Sequence, residues 1–173
     1  MGVHPWHAGE WTHSNMGFIH ERLDASQAIL IGEIGLDNHC DVPYEQQLLV
    51  FEEQLRLADE RSMAVLIHNV GHQAELLALK KAFPHIPKWI IHGFRGKPQM
   101  AETFLEKGFS LSFGLQYPAE SLECCPLDRL YLETDDASMD FRLHCERVAR
   151  LKGLLLHELE EVLRMNFEAL SQK

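Results

Sequence analysis

Four ionisable residues stand at corresponding places along this chain. Glu33 follows Ile-Leu-Ile-Gly, His68 closes Val-Leu-Ile-His, His92 closes Trp-Ile-Ile-His, and Asp135 comes just past Leu-Tyr-Leu-Glu. Two imidazoles and two carboxylates make a mixed nitrogen and oxygen donor set, which suits Zn or Mn and, where carboxylates dominate, Mg. A lone histidine at the end of an apolar run is more often a hydrogen-bonded core or rim residue than a ligand. Four such residues at matching positions favour a divalent-metal site instead.

These positions have meaning only if the apolar runs are strands. The runs at 28–32, 64–68, 89–92, 110–113 and 130–133 are each too short for a helix and read as buried strands of a parallel sheet. Helical period falls between them, at Tyr44, Leu48, Phe51, Leu55 and Ala58, and more weakly at Met100, Phe104 and Leu105. A terminal helix is expected after Gly153, with Leu159, Val162, Leu163, Phe167 and Leu170 on one face. The stretches 13–23 and 134–140 read as loops. Glu33, His68, His92 and Asp135 are 35, 24 and 43 residues apart in turn. The first two gaps approximate one strand, helix, strand step of roughly 30 residues, and the third leaves room for the extra strand at 110–113. Alternation of this kind predicts an α/β barrel or a doubly wound sheet, built as one domain over residues 1–173. In a parallel barrel the carboxyl ends of the strands converge on one face.

Composition sets the outer bounds. The chain has 173 residues, 46% hydrophobic and 24% charged, which is ordinary globular usage. A formal charge of -10 argues against a duplex-binding module that works by basic surface, while a bound cation would still permit chemistry on phosphodiesters. Cys40, Cys124, Cys125 and Cys145 show no CxxC spacing and read as reduced thiols. No apolar stretch approaches the length of a membrane span and no leader pattern opens the chain, so the expected location is cytoplasmic, without membrane partners.

No GxSxG elbow occurs, and Cys124 and Cys125 lie away from the strand ends, so a nucleophilic Ser or Cys is unsupported. His4 is expected to contact a substrate phosphate or to neighbour the metals; a structural His-Pro turn is the other reading. Arg95 reads either as a phosphate grip or as a surface charge. Asp37 is expected to orient a neighbour or cap the turn after it, and Asp136 to solvate its loop. The remaining histidines, His7, His13, His20, His39, His72, His85, His144 and His157, read as surface or structural.

The motifs together resemble one family. Gly32-Glu33-Ile34-Gly35-Leu36-Asp37 is similar to the GEIGLD signature of the TatD family of metal-dependent deoxyribonucleases, and Gly2-Val3-His4-Pro5 resembles its GxHP segment. Ile67-His68, Ile91-His92-Gly93-Phe94-Arg95-Gly96 and Leu132-Glu133-Thr134-Asp135 match its later motifs, in order and over nearly the whole chain. The resemblance implies a (β/α)8 TIM-barrel fold with Glu33 bridging two divalent ions. It implies that His68 and His92 hold one of them, and that Asp135 binds the other and positions or deprotonates the attacking water. The expected substrate is DNA or another phosphodiester, with Glu33 and Asp135 as catalytic residues, His4 at the substrate, and one or two Mg, Mn or Zn ions per chain.

Two family features are missing. The HxH pair of the first barrel strand does not occur here, and the position two beyond His68, commonly Arg, is Val70. A full barrel takes about 250 residues. The expectation is therefore a barrel incomplete at its amino-terminal end, its open edge covered by a homo-oligomeric partner or by the chain's own termini. Glu33, His68 and His92 would keep a full ligand group, while Asp135 loses two partners. Two other functions fit the same residues: an inactive or impaired module of the same fold, and an amidohydrolase-like enzyme acting on a small ester or amide.

Overall fold

The computed structural model describes residues 1–11, 13–25, 28–135 and 140–171, without the side chains of 13–16. Asp136 and the side chain of His13 therefore lie outside the described residues. The chain forms two compact units, Met1–Ile90 and Ile91–Lys173. The first carries a short 3-10 turn Pro5–Glu10, helix α1 His13–Ala25, strand β1 Leu30–Asp37, helix α2 Tyr44–Glu60, strand β2 Ala64–Val70 and helix α3 Gln73–Ala82. Strand β3, Trp89–Ile91, spans the boundary. The second unit continues with α4 Pro98–Glu106, β4 Ser110–Phe113, α5 Ala119–Glu123, a 3-10 turn Leu127–Arg129, β5 Leu130–Leu132, α6 Phe141–Lys152 and α7 Leu156–Glu168.

Pairing is parallel, as the alternation of strands and helices predicts. β1 runs beside β2 with Gly35 opposite His68, and the register shifts between Ile31 and Ile34. In the second unit β4 pairs with β5, Phe113 standing opposite Leu132. Ile31, Ile34, Leu36, Val65 and Ile67 form the strand core of the first unit, and Leu111, Phe113 and Leu130 that of the second, with Phe109 buried just before β4. The apolar content of these runs is what a sheet covered by helices requires.

Three expectations change. β1 continues past Gly32 to Asp37 and β2 past His68 to Val70, so Glu33 and His68 sit within their strands instead of ending them. The segment read as a loop over 13–23 is helix α1. Among its described side chains only Ile19 and Leu23, one turn apart, are buried, too narrow an apolar stripe to register as period. On α7, Leu159 and Leu170 are buried as expected, but Phe167 is 59% exposed. Asn166 takes the inward position, its Nδ2 donating to Leu127 O at 2.7 Å and Leu130 O at 2.8 Å.

Helix α2 does more than cover β1. Gln47 and Gln54, two turns apart and therefore on one face, are both buried. Gln47 accepts from Asp37 N at 2.8 Å and donates to Asp37 O at 3.1 Å and Val42 O at 2.7 Å. Gln54 accepts from Val3 N at 2.6 Å and donates to Val3 O at 3.2 Å. Buried amides survive only when so satisfied. Here they tie two backbone segments to one helix: the end of β1 and residues 1–4.

Candidate metal centre

Residues 1–4 lie against β1, with Gly32 N donating to Met1 O at 3.1 Å. The approach is close enough to exclude a side chain at position 2, where a Cβ would stand 2.7 Å from Ile34 Cγ2 and 2.9 Å from the Gly32 carbonyl carbon. His4 then caps the 3-10 turn, its Nδ1 accepting from Trp6 N at 3.2 Å. Its Nε2 comes to 3.7 Å from Glu33 Oε1. His68 Nδ1 lies 3.0 Å from the same oxygen. His4, Glu33 and His68 each present one donor atom within 4.8 Å of the other two.

The opposite edge of the His68 ring is equally well fixed. Nε2 is 2.7 Å from Asp37 Oδ2, and that carboxylate also accepts from the Trp6 indole Nε1 at 2.8 Å and from His39 N at 2.7 Å. Asp37 thus both orients a neighbour and caps the following turn, the two roles expected of it. Gly35 makes the strand contact behind His68 possible: a Cβ there would fall 1.9 Å from His68 O, at a φ of 148°. That contact is open only to glycine.

Electrostatics follow from these bonds. Burial alone would lower the His68 pKa, but hydrogen bonds to Glu33 and Asp37 outweigh it and raise the imidazole above its ordinary value. Burial likewise works to raise Asp37, and is overcome by the His39 N–H, the Trp6 indole N–H and His68, which hold the carboxyl below the usual range. His4 is lowered, first by burial and then by the neighbouring His68, against the pull of Glu33 and Asp37.

A comparable arrangement exists in the second unit. His92, directly after β3, has Nδ1 2.9 Å from Glu133 Oε2 and Nε2 3.8 Å from Asp135 Oδ2. Ser112 donates to Glu133 as well. Asp135 adopts a φ of 49°, a left-handed conformation that Asp tolerates better than most residues, and its side chain is 58% exposed. Arg95 is exposed in the loop beyond β3. His144 is fully buried, its Nε2 2.9 Å from Phe113 O, and is structural as expected.

Of the expected ligands, Glu33 meets His68 and His92 meets Asp135, each pair within its own unit. Sequence reasoning overlooked Glu133, although it is the residue before Thr134-Asp135 and the last of a strand-ending run. In both clusters an imidazole stands between two carboxylates, so one ring nitrogen can face a cation while the other is oriented by an acid. The donor chemistry, neutral imidazole nitrogen beside carboxylate oxygen, fits a divalent ion of the Zn or Mn kind. Among the described residues no helix is long and apolar enough to cross a membrane.

Comparison with known proteins agrees with this chemistry. The model of the family "TatD related DNase" matches residues 1–172. A 3'-5' ssDNA/RNA exonuclease TatD of Erwinia billingiae is 33% identical over 78% of this chain, and the chain spans 55% of that protein's length. The metal-dependent hydrolase YabD of Bacillus subtilis is 28% identical, with 98% of this chain and 75% of the relative covered. Among solved structures, YjjV, a TatD homologue of Escherichia coli, superposes with a TM-score of 0.87 at 24% identity, covering 98% of this chain and 74% of that one. A TatD family hydrolase of Entamoeba histolytica gives 0.81 at 18% identity over 98% of this chain and 72% of its own. These two likenesses establish an α/β fold of the TIM-barrel type, of which the described residues supply five strands. With a family model matched from residue 1 to residue 172 and carboxylate-flanked histidines at its motif positions, the chain belongs to the TatD-related DNase family of metal-dependent hydrolases.

Proposed function

We propose that this chain is a metal-dependent phosphodiesterase acting on single-stranded nucleic acid, with Glu33 and His68 in the first unit and His92 and Asp135 in the second as metal ligands. The observation that carries the reading is the fixed His68 ring, between Glu33 at 3.0 Å and Asp37 at 2.7 Å. A divalent ion bound by such residues supplies Lewis acidity at a phosphoryl oxygen and acidifies water to a pKa of about 7.

The chain's own residues do the rest. Asp37 keeps the His68 Nε2 proton in place, so that Nδ1 presents its lone pair. Asp135 accepts the proton of the attacking water at its carboxylate. The water oxygen bonds to phosphorus, the bond from phosphorus to the leaving oxygen breaks, and the leaving alkoxide takes up the proton that Asp135 received from the water. Trp6, 59% exposed with its indole N–H fixed on Asp37, offers a flat face beside His4 and His68. Unpaired bases stack on such faces, and duplex bases do not reach them. The relatives named as ssDNA/RNA exonucleases support the same substrate class.

The test is hydrolysis of an end-labelled single-stranded oligonucleotide by the purified chain with Mg, Mn or Zn, alongside simple esters and matched duplex. Ladder formation abolished by chelator, by Glu33→Gln and by Asp135→Asn is the expected result. Wild-type protein that binds no divalent ion at stoichiometric level, or an Asp135→Asn variant as active as wild type, overturns the proposal.

A further inference from the structure

We propose that a groove between residues 1–3 and helix α1 binds a nucleotide of the substrate strand away from the reacting phosphate, its base against Phe18 and its phosphate at Arg22. The inference rests on the single-stranded nucleic acid reading above and adds a site outside the chemistry. The groove has a volume of about 490 Å³, within the range of ligand-sized sites. Among the described residues its lining includes Val3, His7, Trp11, Phe18, Ile19 and Arg22.

Part of this lining is fixed and part is open. Gln54 holds Val3 by both backbone groups, the Trp11 indole N–H donates to Glu53 Oε2 at 2.9 Å, and Ile19 is buried. Phe18 is instead 55% exposed, with the Arg22 guanidinium 5.3 Å from its ring centroid. An arginine stacked in this way keeps its in-plane N–H groups free for a phosphate, and the phenyl ring keeps its other face for a base.

Charge and continuity decide the occupant. Arg22 and Glu10 offset each other within the lining, whereas the chain as a whole carries -10. A phosphate backbone therefore meets less repulsion in the groove than the net charge would impose. His7 joins the groove to the candidate metal centre: it belongs to the lining, and its ring lies 6.5 Å from that of His4. Trp6, exposed beside His4, offers a face for the nucleotide at the centre itself. Trp6, His7 and then Phe18 with Arg22 make a run of rings and cations, the combination that holds single strands without sequence preference. A purely apolar groove would suit a second copy of this chain; the guanidinium on an open ring and the link to His4 favour a strand.

Binding of fluorescein-labelled oligothymidylates to the full chain tests this, read by anisotropy in chelator so that no cleavage intervenes. Lengthening a dinucleotide to a hexanucleotide should tighten wild-type binding by about 10-fold or more. Phe18→Ala should weaken hexanucleotide binding by roughly 5-fold or more, and Phe18→Trp should keep it, since stacking needs only an aromatic face. Arg22→Gln should reduce the slope of log affinity against log salt by about 0.7, the value of one phosphate contact in a single strand, and Arg22→Lys should keep that slope. Far-UV circular dichroism equal to wild type confirms that the variants are folded. Hexanucleotide affinity unchanged in Phe18→Ala, or salt slope unchanged in Arg22→Gln, overturns the inference alone. So does a lower sedimentation coefficient in Phe18→Ala with oligonucleotide binding intact, the pattern of a second copy seated in the groove. A wild-type chain that binds no oligonucleotide and cleaves none with metal supplied overturns both this inference and the proposed function.

Discussion

Asp37 Oδ2 lies 2.7 Å from His68 Nε2, on the side of the ring away from Glu33. A buried carboxylate so placed fixes the tautomer and the orientation of the imidazole, and makes its far nitrogen a better donor. Asp37→Asn keeps the shape but removes the charge. The expected effect is a 10–100-fold loss of divalent-ion affinity by chelator competition, with the far-UV circular dichroism unchanged.

The same pair gives the metal-free protein a defined pH profile. His68 is raised in the folded state, so its contribution is full below its unfolded value of ~6.5 and is lost as pH rises through the higher folded value. Asp37 is lowered, so its contribution is present above ~3.9 and is lost as pH falls through the lower folded value. This pair should therefore stabilise the apo protein most between about pH 4 and 6.5, while His4, lowered by burial, works against it below its unfolded value of ~6.5. Melting curves in chelator across pH 3–9 check this, and a maximum above pH 8 would contradict it.

Gly35→Ala should be among the most damaging single-methyl changes in the chain. Its Cβ would meet His68 O at 1.9 Å, a backbone atom, with no flexible side chain to yield. A loss of roughly 3 kcal/mol or more is expected, read as a drop in urea midpoint, together with weaker metal binding because His68 moves.

Cysteine reactivity separates the buried thiols, Cys125 and Cys145, from the partly exposed Cys40 and Cys124. Burial pushes the Cys125 thiol up to about 12, and the residue is 1% exposed. At pH 8 only about one molecule in ten thousand would carry that thiolate. Iodoacetamide should label Cys40, which is partly exposed, well before Cys125. Peptide mapping by mass spectrometry distinguishes them, and equal labelling in the native state would contradict the buried placement.

The legible part of this molecule is the part written as apolar runs with an ionisable residue at or near the end. Glu33, His68, His92 and Asp135 stand out because a strand announces itself over four or five residues, and a charged or imidazole side chain next to it is then conspicuous. The less legible part consists of polar residues that point inward. Gln47, Gln54 and Asn166 escape period counting, which assigns amides to the solvent face, whereas here each satisfies backbone groups in the interior. Glu133 is obscured for a related reason: beside Asp135 it reads as motif filler, and only the fold shows it against His92 Nδ1. His4 is visible through its motif. Its proximity to Glu33 depends on Gly2 and Gln54, which are 52 residues apart and share no sequence pattern.

Gln54 holds Val3 by its backbone N–H and C=O and is indifferent to the valine side chain. Drift at position 3 should therefore be cheap, while its two neighbours are constrained for unrelated reasons, position 2 by lack of room and position 4 by its bond from Trp6 N and its place beside Glu33. A saturation library over residues 2–4, sorted for retention of a divalent ion, should return a tolerant site between two intolerant ones. The amide at position 54 would behave as a third intolerant site, far away in the chain and coupled to the first two.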